Sequence, residues 1–129
     1  MNGTNTSNLQ LLEIIQWNCR SLNSNLSEFK VMLYCKKPHI VMLSETWINI
    51  GAHTPNFINY KCYWKHRAVV GVGGGLAILI RADLASVEKI LDPYANGDME
   101  IHACTIFTKE CPIDIMNVYN PMKNIKKEE

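Results

Sequence analysis

Charge of one sign, paired cysteines and long apolar runs are all missing from this chain. Its 129 residues carry 13 Lys and Arg against 12 Asp and Glu, a net charge of +1. A protein that coats nucleic acid over its whole surface needs a large positive excess, so that class is excluded, as is an acidic tail. Local gripping of DNA by an enzyme is not excluded. No apolar stretch approaches the ~20 residues of a membrane helix, and short runs such as Leu76–Ile80 are the rule. Met1–Gln10 is polar and lacks the hydrophobic region of a secretory signal. The five cysteines (Cys19, Cys35, Cys62, Cys104, Cys111) are odd in number and form no CxxC pair. That spacing suits neither a zinc ribbon nor a complete disulfide framework, and it implies reduced thiols in an intracellular protein, nuclear or cytoplasmic. The four histidines make no HxH or HExxH pair, so the usual spacing of a histidine metal site is absent too.

What is present is a core-forming composition. Hydrophobic residues make up 47% and charged residues 19%, which with this length implies one globular domain. Residues 1–10 read as a disordered lead-in, 11–121 as the domain and 122–129 as a frayed tail. Leu11–Trp17 has the length and composition of a strand that stops at the polar Asn18-Cys19-Arg20-Ser21. Leu22, Leu26, Phe29 and Leu33 then recur at helical spacing. Asn25 with Glu28 fits a capping box in the wider sense, and Lys36, Lys37 and Pro38 mark the helix end. Ile40–Leu43 is a continuous apolar run, as in a strand buried on both faces. This strand–helix–strand order leaves room for a parallel connection.

After Gly51 the pattern becomes antiparallel. Strands are expected over Tyr60–Arg67, Leu76–Arg81, Val87–Leu91, Glu100–Thr108 and Ile113–Val118, with a hairpin turn at Tyr94–Asp98. The sum is a mixed α+β fold of about seven strands and one helix.

Asn18 and Glu45 each close a buried strand. If the two strands are parallel neighbours, both side chains emerge at the same carboxyl edge, where open α/β sheets bind ligands. An amide oxygen and a carboxylate are hard ligands suited to Mg²⁺. The same residues also fit a loop cap and a solvated acid. Tyr119 follows another strand in the same way, either to contact phosphate or as a half-buried structural tyrosine. The Gly73-Gly74-Gly75 run lacks the Lys-Ser/Thr of a phosphate loop, since Leu76-Ala77 comes next, and reads as a hairpin connection. Tyr60–Arg67 interleaves aromatics with Lys61, Lys65 and Arg67. That pattern serves equally to bind nucleic acid or to protect an edge strand.

Four segments occur in order: Trp17-Asn18-Cys19-Arg20-Ser21-Leu22, Leu43-Ser44-Glu45-Thr46-Trp47, Gly73-Gly74-Gly75-Leu76-Ala77-Ile78 and Asn117-Val118-Tyr119-Asn120-Pro121. Together they resemble the endonuclease/exonuclease/phosphatase superfamily, and within it the apurinic-like endonuclease domain of jockey-like non-LTR retrotransposons. The resemblance implies a four-layer α/β sandwich built on mixed sheets and a Mg²⁺- or Mn²⁺-dependent phosphodiesterase that acts on DNA. By the same resemblance Glu45 is a metal ligand and Asn18 helps hold the metal-bound phosphate. Tyr119 contacts the scissile phosphate, and Arg20 and Asn120 line the site. In an intact parent the domain nicks target DNA for a reverse transcriptase on the same chain. The rivals are a phosphatase or repair nuclease of the superfamily and a non-catalytic nucleic-acid- or protein-binding remnant.

The family's later Gly-Asp-x-Asn and Ser-Asp-His motifs have no counterpart, because Gly97-Asp98 is followed by Met99-Glu100 and precedes Tyr119. The expectation is therefore an N-terminal part of the domain, inactive alone, with the second sheet largely missing and an apolar sheet face left bare.

Overall fold

A computed structural model of the protein describes residues 11–67, 73–91 and 99–121. The lead-in 1–10, the Tyr94–Asp98 turn and the tail 122–129 lie outside the described residues. Seven strands and one α-helix are found among those described: β1 (Ile14–Asn18), α1 (Leu26–Lys36), β2 (Ile40–Ser44), β3 (Tyr60–Lys65), β4 (Leu76–Arg81), β5 (Ala85–Lys89), β6 (Glu100–Phe107) and β7 (Pro112–Tyr119). The first sheet has the order β1-β2-β4-β3 and the second the order β5-β6-β7. In the first sheet β1 and β2 are parallel and the other pairs antiparallel, so the sheet is mixed. The described architecture is α+β.

The helical spacing is met with an adjustment at its start. A single 3-10 turn, Asn23–Asn25, leads into α1. The Asn25 side chain makes no cap. Instead its Nδ2 donates to the carbonyls of Cys19 and Ser21, each at 3.2 Å. Arg20 and Ser21 have φ of 44° and 80°, and that left-handed bend turns their neighbouring carbonyls toward Asn25, whose amide is oriented to donate to them rather than to accept from the helix N–H groups. At the other end Lys37, with φ 48°, returns its N–H to Leu33 O. Helix α1 buries Phe29 and Leu33. Phe29 stacks on Trp17 at 5.6 Å and meets Phe57 edge-on at 5.3 Å.

This packing fills one face of the first sheet, where Val41, Leu43, Ala77 and Leu79 join Phe29, Leu33, Ile48 and Phe57 in one core cluster. The opposite face carries Ile40, Ile78 and Ile80, and it is covered by Cys104, Ile106 and Ile115 from the second sheet. Burial of such side chains stabilises by about 1.5–3 kcal/mol each.

The expected bare face is thus a correction. Strands β5, β6 and β7 form a sheet that closes over it. The reason is the alternation in β6 and β7, which turns His102, Cys104, Ile106, Ile115 and Asn117 inward. Apolar exposure falls instead on outer positions of the second sheet, at Val87, Phe107, Met116 and Val118. Strand β5 begins earlier than the expected Val87. The turn before it is tight, with Leu84 N bonded to Arg81 O and Arg81 forked onto Asp83 at 2.7 and 3.0 Å.

Candidate active site

The parallel register sets Asn18 opposite Ser44, and the antiparallel register sets Leu76 opposite Ser44. Three strand ends therefore meet at one edge of the first sheet. Pairing continues past the strands. On one side Cys19 N, Ser21 N and Leu22 N donate to the carbonyls of Ser44, Glu45 and Thr46 at 2.9–3.0 Å. On the other, Thr46 N and Trp47 N donate to the carbonyls of Gly75 and Gly74 at 3.2 and 3.0 Å. The Glu45–Trp47 loop is thus pinned from both flanks. Glu45 and Trp47 have φ of 52° and 58°, a left-handed conformation that costs a non-glycine residue about 1–2 kcal/mol and persists where the surroundings over-determine it. The glycine run makes this close pairing possible. Gly75 has φ +95°, and a Cβ there would stand 2.5 Å from Thr46 Oγ1.

The second sheet delivers the last member. Asn117 is fully buried, and its Nδ2 crosses between the sheets to Leu43 O at 2.9 Å and Ala77 O at 3.4 Å. Two residues further along β7, on the same side of the strand, Tyr119 comes close enough to Glu45 to help hold its carboxyl down. The structure thus brings Asn18, Glu45 and Tyr119 together, and adds Trp47.

Burial pushes the Glu45 carboxyl up, but donors from Asn18, Tyr119 and Trp47 and the charge of Arg20 outweigh it, so it is held below its ordinary value. The Tyr119 phenol is raised by burial first, then by its bond to Glu45 and the negative charges of Glu45 and Glu100, with Arg67 opposing. Burial lifts the Cys19 thiol to about 12, and Glu45 adds to that. The cluster therefore presents an ionised carboxylate, a neutral phenol and an inert thiol.

The donor set fits a hard divalent cation in part. Glu45 is one carboxylate kept ionised, and the neighbouring Asn18 amide carries a neutral oxygen that a cation could also take. Among the described residues no group of three or more His, Cys, Asp or Glu gathers to cage a metal. Mg²⁺ does not require one, since it keeps several waters and commonly takes one or two carboxylates plus substrate phosphate.

The five residues expected to contact DNA are dispersed. Arg20 is close enough to act on Glu45, and Asn120 is exposed directly after Tyr119. Lys65 Nζ donates to Ile101 O at 2.6 Å and Arg67 Nε to Glu100 at 3.0 Å, both across to the second sheet. Lys61 pairs with Ile80 while Lys65 pairs with Leu76, so Lys61 lies toward the end of β3 away from the site, 5.1 Å over the Tyr63 ring. Asn117 and Glu100 were not singled out from sequence. The available signal was a polar residue at an inward position of a strand, visible only once the strand faces are known.

No family model matches the chain, and no curated protein matches it. Solved structures do. The 3′ phosphatase NExo from Neisseria, bound to a product DNA hairpin, superposes with a TM-score of 0.62 at 22% identity, over 84% of this chain and 41% of that one. The AP endonuclease from Leishmania major gives 0.65 at 16% identity, over 90% and 43%. The endonuclease domain of TRAS1, a telomere-specific non-LTR retrotransposon, gives 0.62 at 16%, over 84% and 46%. The chain thus has the endonuclease/exonuclease/phosphatase fold and spans less than half the length of these structures.

Proposed function

We propose that this chain forms part of the reaction centre of a metal-dependent DNA endonuclease of the non-LTR retrotransposon type. In the intact parent it would nick target DNA to prime a reverse transcriptase domain on the same polypeptide. The observation that carries this reading is the meeting of strand ends at one sheet edge, where Asn18 stands opposite Ser44 beside Glu45 and the Asn117 amide fastens the Tyr119 end of β7 against them. At such an edge a divalent cation can be held between one carboxylate and a phosphodiester. Glu45 and Asn18 would hold Mg²⁺ or Mn²⁺. When bound, the ion would polarise the phosphoryl oxygen and offset charge on the leaving oxygen. Tyr119, kept protonated, would donate to a phosphate oxygen. Asn18 would hold the Glu45 carboxylate in place, and Arg20 and Asn120 would flank the strand under attack. Of the three cations of Tyr60–Arg67, Arg67 would lie along its path.

Hydrolysis also needs a positioned water and a group to accept its proton. Among the described residues no group of three or more His, Cys, Asp or Glu gathers around Glu45, so the chain is proposed to supply only part of the machinery. A superfamily repair nuclease or phosphatase remains the second reading, and the Neisseria phosphatase with its DNA product is the observation that favours it.

The test is nicking of supercoiled plasmid in Mg²⁺. The 129-residue chain is compared with a chain extended by its downstream coding sequence to the length of the structural neighbours. The extended chain should nick, and its Glu45→Ala variant should not. The short chain should stay at background. Robust Glu45-dependent nicking by the short chain would overturn the partial-site reading. No metal-dependent nicking by the extended chain would overturn the nuclease reading.

A further inference from the structure

The Arg67 guanidinium lies against Gly74, just beyond the end of β3. Gly74 has φ +78°, and a Cβ there would overlap the guanidinium, with Nη2 only 2.5 Å away. Glu100, the first residue of β6, accepts from Arg67 Nε at 3.0 Å and from Gly75 N at 3.2 Å. One carboxylate thus fixes both the guanidinium and the loop it rests on. Both side chains keep some access to solvent, 31% for Arg67 and 16% for Glu100. Among the described residues neither Nη atom has a hydrogen-bond partner. Glu100 stands directly opposite Tyr119 in the β6–β7 ladder. The charges of Glu100 and Arg67 both reach the Tyr119 phenol.

A plain tie between the sheets would not need this arrangement. Lys65 already makes one to Ile101 O, two residues earlier, and a tie does not call for a glycine seat beneath the cation. A guanidinium held at its Nε end, its two Nη groups unbonded among the described residues, matches the oxygens of a phosphodiester.

We propose that Arg67, oriented by Glu100 and seated on Gly74, is a phosphodiester-binding subsite beside the Asn18–Glu45–Tyr119 cluster. It would take the phosphate of a nucleotide next to the one under attack, and Glu100 is its positioning residue. The proposal rests on the nuclease reading and adds a role for an acidic residue in gripping a polyanion. A bystander carboxylate at that place would weaken binding by repulsion. A positioning carboxylate strengthens it through Arg67.

Fluorescence anisotropy of a labelled DNA duplex with the 129-residue chain, over a series of salt concentrations, tests this. Arg67→Ala should weaken binding about tenfold and lower the salt slope by about one. Arg67→Lys should keep the slope and recover only part of the affinity, because an ammonium cannot form the fork. Glu100→Ala should weaken binding while Arg67 is present, and should leave it unchanged or stronger in the Arg67→Ala background. That coupling is the mark of a positioning role. Should Arg67→Ala fail to fold, Arg67→Lys carries the test, and wild-type affinity in that variant overturns the subsite. Affinity and slope unchanged in folded Arg67→Ala, or tighter binding by Glu100→Ala alone, overturn the subsite and leave the nuclease reading standing. A folded wild-type chain that binds no DNA overturns both.

Discussion

Asn117 Nδ2 reaches Leu43 O at 2.9 Å across the space between the two sheets, from a side chain with no solvent exposure. The bond fastens β7 over the end of β2, two residues from Tyr119 on one strand and two from Glu45 on the other. The candidate site is therefore held from behind by a buried amide.

Replacing Asn117 with Leu should remove that hold. The substitution nearly preserves volume but leaves the Leu43 and Ala77 carbonyls without their amide donor. The expected loss of stability is about 1–3 kcal/mol, read as a lower urea midpoint at unchanged slope. Tyr119 fluorescence or its titration should shift as well. An unchanged midpoint would mean that the amide contributes nothing net.

Gly75 offers a second check. Gly75→Ala places a Cβ against Thr46 Oγ1 and forces alanine into φ +95°. The conformational part alone costs roughly 1–2 kcal/mol. Thr46→Ala should restore some of the loss, because it removes the obstructing hydroxyl, itself buried without a partner. Two single effects that simply add would exclude the contact.

Glu45 should be indispensable to activity in the extended chain. Glu45→Ala should reduce nicking by about 10²–10³-fold, with Tyr119→Phe milder because only one donor is lost. The pH dependence follows from the lowered carboxyl. The contribution of Glu45 to stability is full above its unfolded pKa and is lost as pH falls through the lower folded one. The stability gap between wild type and Glu45→Gln should therefore begin to shrink as pH falls through the ordinary carboxylate range and close below it. A gap that closes nearer neutrality would contradict the arrangement of donors.

The cysteines separate into two groups. Cys35 and Cys111 are exposed, Cys19 and Cys104 buried and Cys62 partly buried. Burial pushes the thiols of Cys19, Cys62 and Cys104 up to about 12, 11 and 12. A thiol reagent at pH 8 should modify two residues quickly and the other three only on unfolding. Fast reaction of a third thiol would show that the core opens locally.

Much of the fold is legible in the linear pattern. The helical spacing of Leu26, Phe29 and Leu33 and the unbroken run Ile40–Leu43 each report burial with a definite period. Leu76–Arg81 agrees with its strand to the residue. Strand β5 is less legible, because Ala85–Lys89 sits on the sheet edge and its residues are largely exposed. The missing cap at Asn25 has a similar cause. Its side chain answers carbonyls turned toward it by the bend at Arg20 and Ser21, and backbone φ is not written in residue type.

By itself the sequence determined which residues could do chemistry, since Asn18, Glu45 and Tyr119 are polar residues that end apolar strands. Only the tertiary structure decided that they meet. That depends on the parallel register of β1 with β2 and on Asn117 binding one sheet to the other, both relations between residues far apart in the chain. It also decided the fate of the apolar face, because β6 and β7 supply a cover whose inward side is defined only when the strands pair. And it gave the lysines and arginine of Tyr60–Arg67 separate surroundings: Lys61 at the far end, Lys65 a tie, Arg67 seated on glycine. Side chains two residues apart on one strand share a face, but what they meet there is set by the neighbouring sheet.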